Sequence, residues 1–218
     1  MWGLETNLSH AECFATLSKS AKKSVVVKMI WTIPNILTMI RILLIPFLVM
    51  AFYVPFPHHH GVSATVFFLA ALTDWLDGFL ARYFKQTTKL GAFLDPVADK
   101  LMVATALGLL IAIYPYPWAA LPATVIICRE IVVSALREWM AEIGQRSVVK
   151  VSFVGKLKTA AQMAAIFILL LKPKDLRNIW VILGFVLLYI AVILTVYSMW
   201  LYLSAAYRVI KGSGRMKD

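Results

Sequence analysis

Cysteine is almost missing from this sequence: Cys13 and Cys128 are the only two among 218 residues. Two thiols so far apart argue against a disulfide framework and against a thiolate metal site, and Cys128 falls inside an apolar run. Acidic residues are also few, 11 Asp and Glu against 22 Lys and Arg, for a net charge of +11. An excess of that size can serve nucleic acid, but in a hydrophobic chain it more often sets membrane topology, so no nucleic-acid partner is expected. Residues 1–30 carry Lys19, Lys22, Lys23 and Lys28 but neither a long apolar core nor a small-residue cleavage site, which argues against a secretory signal. They are expected to form a poorly ordered cytoplasmic leader, with Met29 standing just ahead of the first membrane pattern.

What the chain has in abundance is apolar side chains. Hydrophobic residues make up 61% of it and the mean hydropathy is +0.79, well above soluble domains, of which about half the residues are apolar. Apolar runs of about 20 residues cross a bilayer as helices, and six are legible, at about 33–54, 62–81, 97–114, 118–138, 151–171 and 178–204. The spacing therefore predicts an all-α polytopic membrane protein with one domain over residues 31–206 and a basic tail over 207–218. Breaks fall at Val54-Pro55-Phe56-Pro57, at Tyr114-Pro115-Tyr116-Pro117 and at Lys172-Pro173-Lys174. Trp31, Trp118, Trp139 and Trp180 lie near span ends, where aromatic rings favour the interface.

Six spans put both termini on one side. That side collects the leader lysines, Arg82, Lys85 and Lys89, Arg146 and Lys150, and Arg208, Lys211, Arg215 and Lys217, while the other shows Lys172, Lys174 and Arg177. The richer side is expected to be cytoplasmic. His58, His59 and His60 then fall outside. They are expected to lie in a loop and to bind no metal, since adjacent loop residues rarely converge on one ion.

The chemistry concentrates between Asp74 and Asp99. Asp74 and Asp77 are three residues apart and Asp95 and Asp99 four apart, so on helices each pair shares a face. Four carboxylates at membrane depth repel one another, so a cation has to sit among them. All-oxygen ligands suit hard divalent ions, Mg²⁺ or Mn²⁺. Gly78 and Gly91 leave room where a bulky ligand or a neighbouring helix comes close, and Arg82, one turn past Gly78, can reach a phosphate. The plainer alternative is that the acids cap helices or pair with Arg82, Lys89 and Lys100.

The pattern D-x2-D-G-x2-A-R-x8-G-x3-D-x3-D runs from Asp74 to Asp99 with every fixed position present, and in it the chain resembles the CDP-alcohol phosphotransferase family. Similarity to the branch that makes phosphatidylglycerophosphate extends over about residues 31–206, through Thr32 to Thr38 and Arg41, Asp95 to Lys100, Arg129-Glu130, Arg137-Glu138-Trp139 and Gly155 to Thr159. The resemblance implies six transmembrane helices around a cytoplasm-facing polar cavity that holds two divalent metal ions. It implies Asp74, Asp77 and Asp95 as metal ligands, with Asp99 beside a metal and acting as general base. Members of the family are often homodimers, so a homodimer is expected.

The implied reaction transfers the phosphatidyl group of CDP-diacylglycerol to sn-glycerol 3-phosphate and releases CMP. Asn35, Thr38 and Arg41 recur at steps of three, where Asn and Thr can hydrogen-bond a nucleotide or head group. With Gly78, Arg82 and Gly91 they are the expected CDP-diacylglycerol contacts, the alternative for Arg41 being that it snorkels to the interface. The acceptor carries close to two negative charges and needs cations. Arg129 and Arg137 lie eight residues apart, and an Arg inside a span is costly and usually functional. With Lys156 and Lys158 they are the expected glycerol 3-phosphate contacts. Arg129 could instead pair with Glu130. Lys156 and Lys158 point to opposite sides of a regular helix, so at least one is expected in a less regular turn or in another role. The set argues for a phosphorylated acceptor and against serine. Inositol phosphate or phosphatidylglycerol is the alternative acceptor, and a divalent-metal transporter is the alternative class, although all four acids cluster near one membrane face.

Overall fold

The computed structural model describes residues 33–84, 89–143, 153–171 and 176–214. These residues form six helices, α1 (Ile33–Tyr53), α2 (His59–Phe84), α3 (Lys89–Ile113), α4 (Pro117–Glu142), α5 (Phe153–Leu171) and α6 (Ile179–Gly214), with no strand among them. The protein is all-α, with one helix for each expected span. Hydrocarbon offers no partner to a backbone N–H or C=O, and a helix satisfies its own, so apolar runs of this length fold as helices. Four segments of described residues are long and apolar enough to cross a membrane, Asn35–Tyr53, Phe93–Ile113, Pro117–Glu142 and Ile179–Arg208. α5 offers a shorter apolar stretch, Leu157–Leu171, and α2 gives part of its length to the charged residues from Asp74 to Arg82. The chain is a polytopic membrane protein. Leu43, Leu121, Ile131, Ile179, Ile193 and Trp200 point outward, which suits hydrocarbon and would be a large sticky surface in water.

The helix ends follow proline and the β-region preference of the residue before it. Tyr116 sits at φ −122° and ψ 148° ahead of Pro117 at the first position of α4. Pro46, Pro96 and Pro122 lie inside helices, which membrane helices tolerate where neighbours satisfy the freed groups. Several helices reach past the expected bounds, α2 at its end to Phe84 and α4 to Glu142 among them. α2 starts at His59, α3 starts at Lys89, and α6 runs on past 204 to Gly214, because hydropathy marks where a helix meets lipid and not where the helix stops. The histidine expectation needs correcting: only His58 stays in the turn, at φ 68°, while His59 and His60 open α2. The His59 Nδ1 stands 3.0 Å from the Phe52 carbonyl oxygen.

The described residues fall into two compact units, those up to Leu43 with those of Leu72–Asp99, and those of Leu44–Ala71 with those from Lys100 onward. The second holds an apolar core around Leu48, Phe67, Leu107, Ile126, Ile166 and Leu188. Ala64, Ala106, Ala123, Ala165 and Ala191 are buried within this unit as well, small residues of the kind that let membrane helices approach closely. One close approach involves Gly184 on α6, where an added Cβ would lie 2.8 Å from both Cγ and Cδ2 of Leu169 on α5. Residues 1–32 lie outside the described residues, as do Lys85, Arg146, Lys150, Lys172, Lys174, Arg215 and Lys217.

Candidate active site

In the first unit, α1 carries Asn35, Thr38 and Arg41 at steps of three, all buried. That spacing aligns them on one helix face, and the face meets acids from two other helices. The Thr38 hydroxyl donates to the Asp95 carboxylate on α3. Arg41 Nη1 lies 2.7 Å from Asp74 Oδ1 on α2, with Arg41 1% exposed and Asp74 42%. Arg41 therefore does not snorkel to the interface. It supplies a cation that the acids require, since an anion taken out of water needs a partner. Asp99 is half-buried one turn after Asp95, and Gly91 is buried near the start of α3. Asp77, Gly78 and Arg82 occupy helical positions of α2, but their side-chain positions lie outside the described residues, as does the Lys89 side chain.

Among the described residues no three His, Cys, Asp or Glu side chains stand together as a metal site, and Asp77 is not in that set. The donor chemistry fits a hard divalent cation nonetheless. Asp74 and Asp95 offer carboxylate oxygens, and α1 side chains steady both. An ionised carboxylate has about four lone-pair sites, so each retains capacity for a metal.

The second unit gathers the cations expected at the acceptor. Arg129 on α4 is 7% exposed and Lys158 on α5 3%. Both donate to one oxygen, Glu130 Oε1, from Arg129 Nη1 at 2.7 Å and from Lys158 Nζ at 2.5 Å. Arg129 Nη2 also donates to Ser198 Oγ on α6 at 3.0 Å, and Ser198 donates to the Thr195 carbonyl oxygen at 2.9 Å. The exposed Arg137 guanidinium lies 5.5 Å from the centre of the Tyr202 ring, a cation–π contact. Lys100, which the sequence offered as a partner for the acids, donates to Ser134 on α4. α5 is helical through both Lys156 and Lys158, so neither sits in a less regular turn, and the Lys156 side chain lies outside the described residues. A cavity of about 180 Å³ has Glu130 in its wall together with Lys100, Val103, Leu107, Ile126 and Ile127.

Glu130 and Ser198 were not among the expected site residues. The rule that singled out Arg129, the cost of a charge inside a span, applies equally to Glu130 and could have found it. Ser198 and Tyr202 carry no such signal, because one hydroxyl in an apolar run is unremarkable until its partner is known.

A family model described as CDP-alcohol phosphatidyltransferase matches residues 31–197. A protein of Pectobacterium atrosepticum named CDP-diacylglycerol–glycerol-3-phosphate 3-phosphatidyltransferase is 56% identical over 176 residues, covering 81% of this chain and 95% of its own. Proteins of the same name from Yersinia enterocolitica and Salmonella choleraesuis are 57% identical over 176 residues and 55% over 177, with the same shares covered.

Proposed function

The chain belongs to the CDP-alcohol phosphatidyltransferase family, and we propose that it transfers the phosphatidyl group of CDP-diacylglycerol to sn-glycerol 3-phosphate, giving phosphatidylglycerophosphate and CMP. The observation that carries this reading is the acid pattern from Asp74 to Asp99, in which α1 donors hold Asp74 and Asp95. The relatives' shared name supports the choice of substrates. Two buried cations, Arg129 and Lys158, suit an anionic acceptor and not a cation path through the membrane.

In this reading Asp74, Asp77, Asp95 and Asp99 hold two divalent ions, Mg²⁺ or Mn²⁺. Such ions, when bound, neutralise the pyrophosphate of the donor and the charge that develops on departing CMP. Asn35, Thr38, Arg41, Gly78, Arg82 and Gly91 bind the CDP-diacylglycerol head group, with Thr38 and Arg41 also orienting the acids they touch. Arg129, Arg137, Lys156 and Lys158 bind the phosphate of the acceptor. Asp99 accepts the proton of the attacking hydroxyl as that oxygen bonds to the phosphorus and the bond from phosphorus to CMP breaks. A positioned carboxylate base of this kind contributes about 10²–10⁴-fold.

Residues 31–206 form the catalytic domain, with residues 1–30 as a leader and 207–218 as a basic tail. The enzyme lies in the bacterial inner membrane as a homodimer with six spans, both termini and the active site facing the cytoplasm. The distribution of Lys and Arg supports that orientation. The test is release of CMP by purified protein given CDP-diacylglycerol and glycerol 3-phosphate.

A further inference from the structure

The buried network of the second unit contains more than the cations themselves. A guanidinium has five N–H donors in a rigid fork. In Arg129, Nη1 is directed at Glu130 and Nη2 at Ser198, while the buried Nε has no hydrogen-bond partner among the described residues. A buried donor without an acceptor is rare and calls for an explanation. Glu130 ties α4 to α5 through Lys158, and Ser198 ties α4 to α6, so the guanidinium plane is fixed from two sides. Ser198 is itself fixed, because its own hydrogen goes to the Thr195 carbonyl oxygen and only its lone pairs face Arg129. Tyr202, four residues past Ser198, lies under the guanidinium of Arg137.

We propose that Ser198 and Glu130 are positioning residues for the acceptor: they orient Arg129, and in the case of Glu130 also Lys158, so that the Nε of Arg129 is left to a phosphate oxygen of glycerol 3-phosphate. The charges agree. The cations Arg129, Arg137 and Lys158 outnumber the one acid, Glu130, that ties them together, an excess of positive charge that suits a phosphate. Ser198 and Tyr202 lie beyond the stretch 31–197 that the family model matches, so this support from the last helix is read from the present chain.

The inference rests on the function proposed above, and kinetics with both substrates separate the two. Ser198→Ala should raise KM for glycerol 3-phosphate several-fold, up to about tenfold, leaving kcat and KM for CDP-diacylglycerol near wild type. Because Ser198 acts through Arg129, the effect should vanish in an Arg129→Ala background, which a merely structural role would not produce. Glu130→Gln, measured in the same way, should also act on the acceptor and spare the donor. Equal losses for both substrates, or the same factor for Ser198→Ala with and without Arg129, would overturn the proposal. Failure of both single variants to fold in detergent would assign the network to structure alone and overturn it too. A wild type that releases CMP with another acceptor but not with glycerol 3-phosphate would remove the functional reading beneath it, an outcome distinct from any of these.

Discussion

The guanidinium of Arg41 on α1 lies 2.7 Å from the carboxylate of Asp74 on α2, and the Thr38 hydroxyl one turn earlier donates to Asp95 on α3. One helix face thus holds the first member of one acid pair and the first member of the other. If these acids bind divalent ions, changing Asp74, Asp77 or Asp95 to Asn should abolish transfer, since each change removes a charged oxygen ligand. Stripping the wild type with EDTA should do the same, and added Mg²⁺ or Mn²⁺ should restore it. Full activity in a preparation shown by elemental analysis to be metal-free would end the two-metal proposal.

Asp99 should behave differently from the other three. With Asp99→Asn, binding of CDP-diacylglycerol should persist while turnover falls by about 10²–10⁴-fold, the usual contribution of a general base. Equilibrium binding of the donor beside single-turnover kinetics separates the two effects. Loss of donor and metal together would make Asp99 chiefly a ligand.

Much of this was readable from the sequence, and the remainder has a physical pattern. The helices follow from apolar runs that must satisfy their own backbone, and the acid pattern from Asp74 to Asp99 is local, visible within 26 residues of sequence. What the sequence did not disclose were partners on other helices. Arg41 is expected at the donor lipid, yet it pairs with Asp74, more than thirty positions away. Glu130 appeared as a neighbour of Arg129, but its bond to Lys158 depends on how α4 and α5 pack. Ser198 lies sixty-nine residues from the arginine it holds. Helix ends were missed for a related reason: α3 begins at Lys89, well before its apolar run, since a helix continues through polar residues that hydropathy ignores.

For the acceptor pocket, Arg129→Ala should raise KM for glycerol 3-phosphate much more than for CDP-diacylglycerol. A lost charge-assisted contact costs about 1.5–3 kcal/mol, roughly ten- to more than a hundredfold. Plain glycerol has no phosphate to lose, so its slow reaction with the wild type should suffer little further from the change. Equal losses with both alcohols would take Arg129 out of the pocket.

The packing of α5 on α6 offers a test independent of catalysis. An added Cβ at Gly184 would meet Leu169 at 2.8 Å, nearer than van der Waals contact allows, so Gly184→Ala should destabilise the protein by about 1–3 kcal/mol. The thermal midpoint in detergent should fall accordingly. An unchanged midpoint would show that Leu169 moves aside freely.

The most direct measurement gives purified protein CDP-diacylglycerol with Mg²⁺ and, in separate reactions, glycerol 3-phosphate, inositol phosphate, serine or no acceptor, and follows CMP. Release that depends on glycerol 3-phosphate, with phosphatidylglycerophosphate as the lipid product and little release in the other reactions, is the expected result. CMP release that inositol phosphate supports as well as or better than glycerol 3-phosphate would contradict it, as would no release with any acceptor from folded protein.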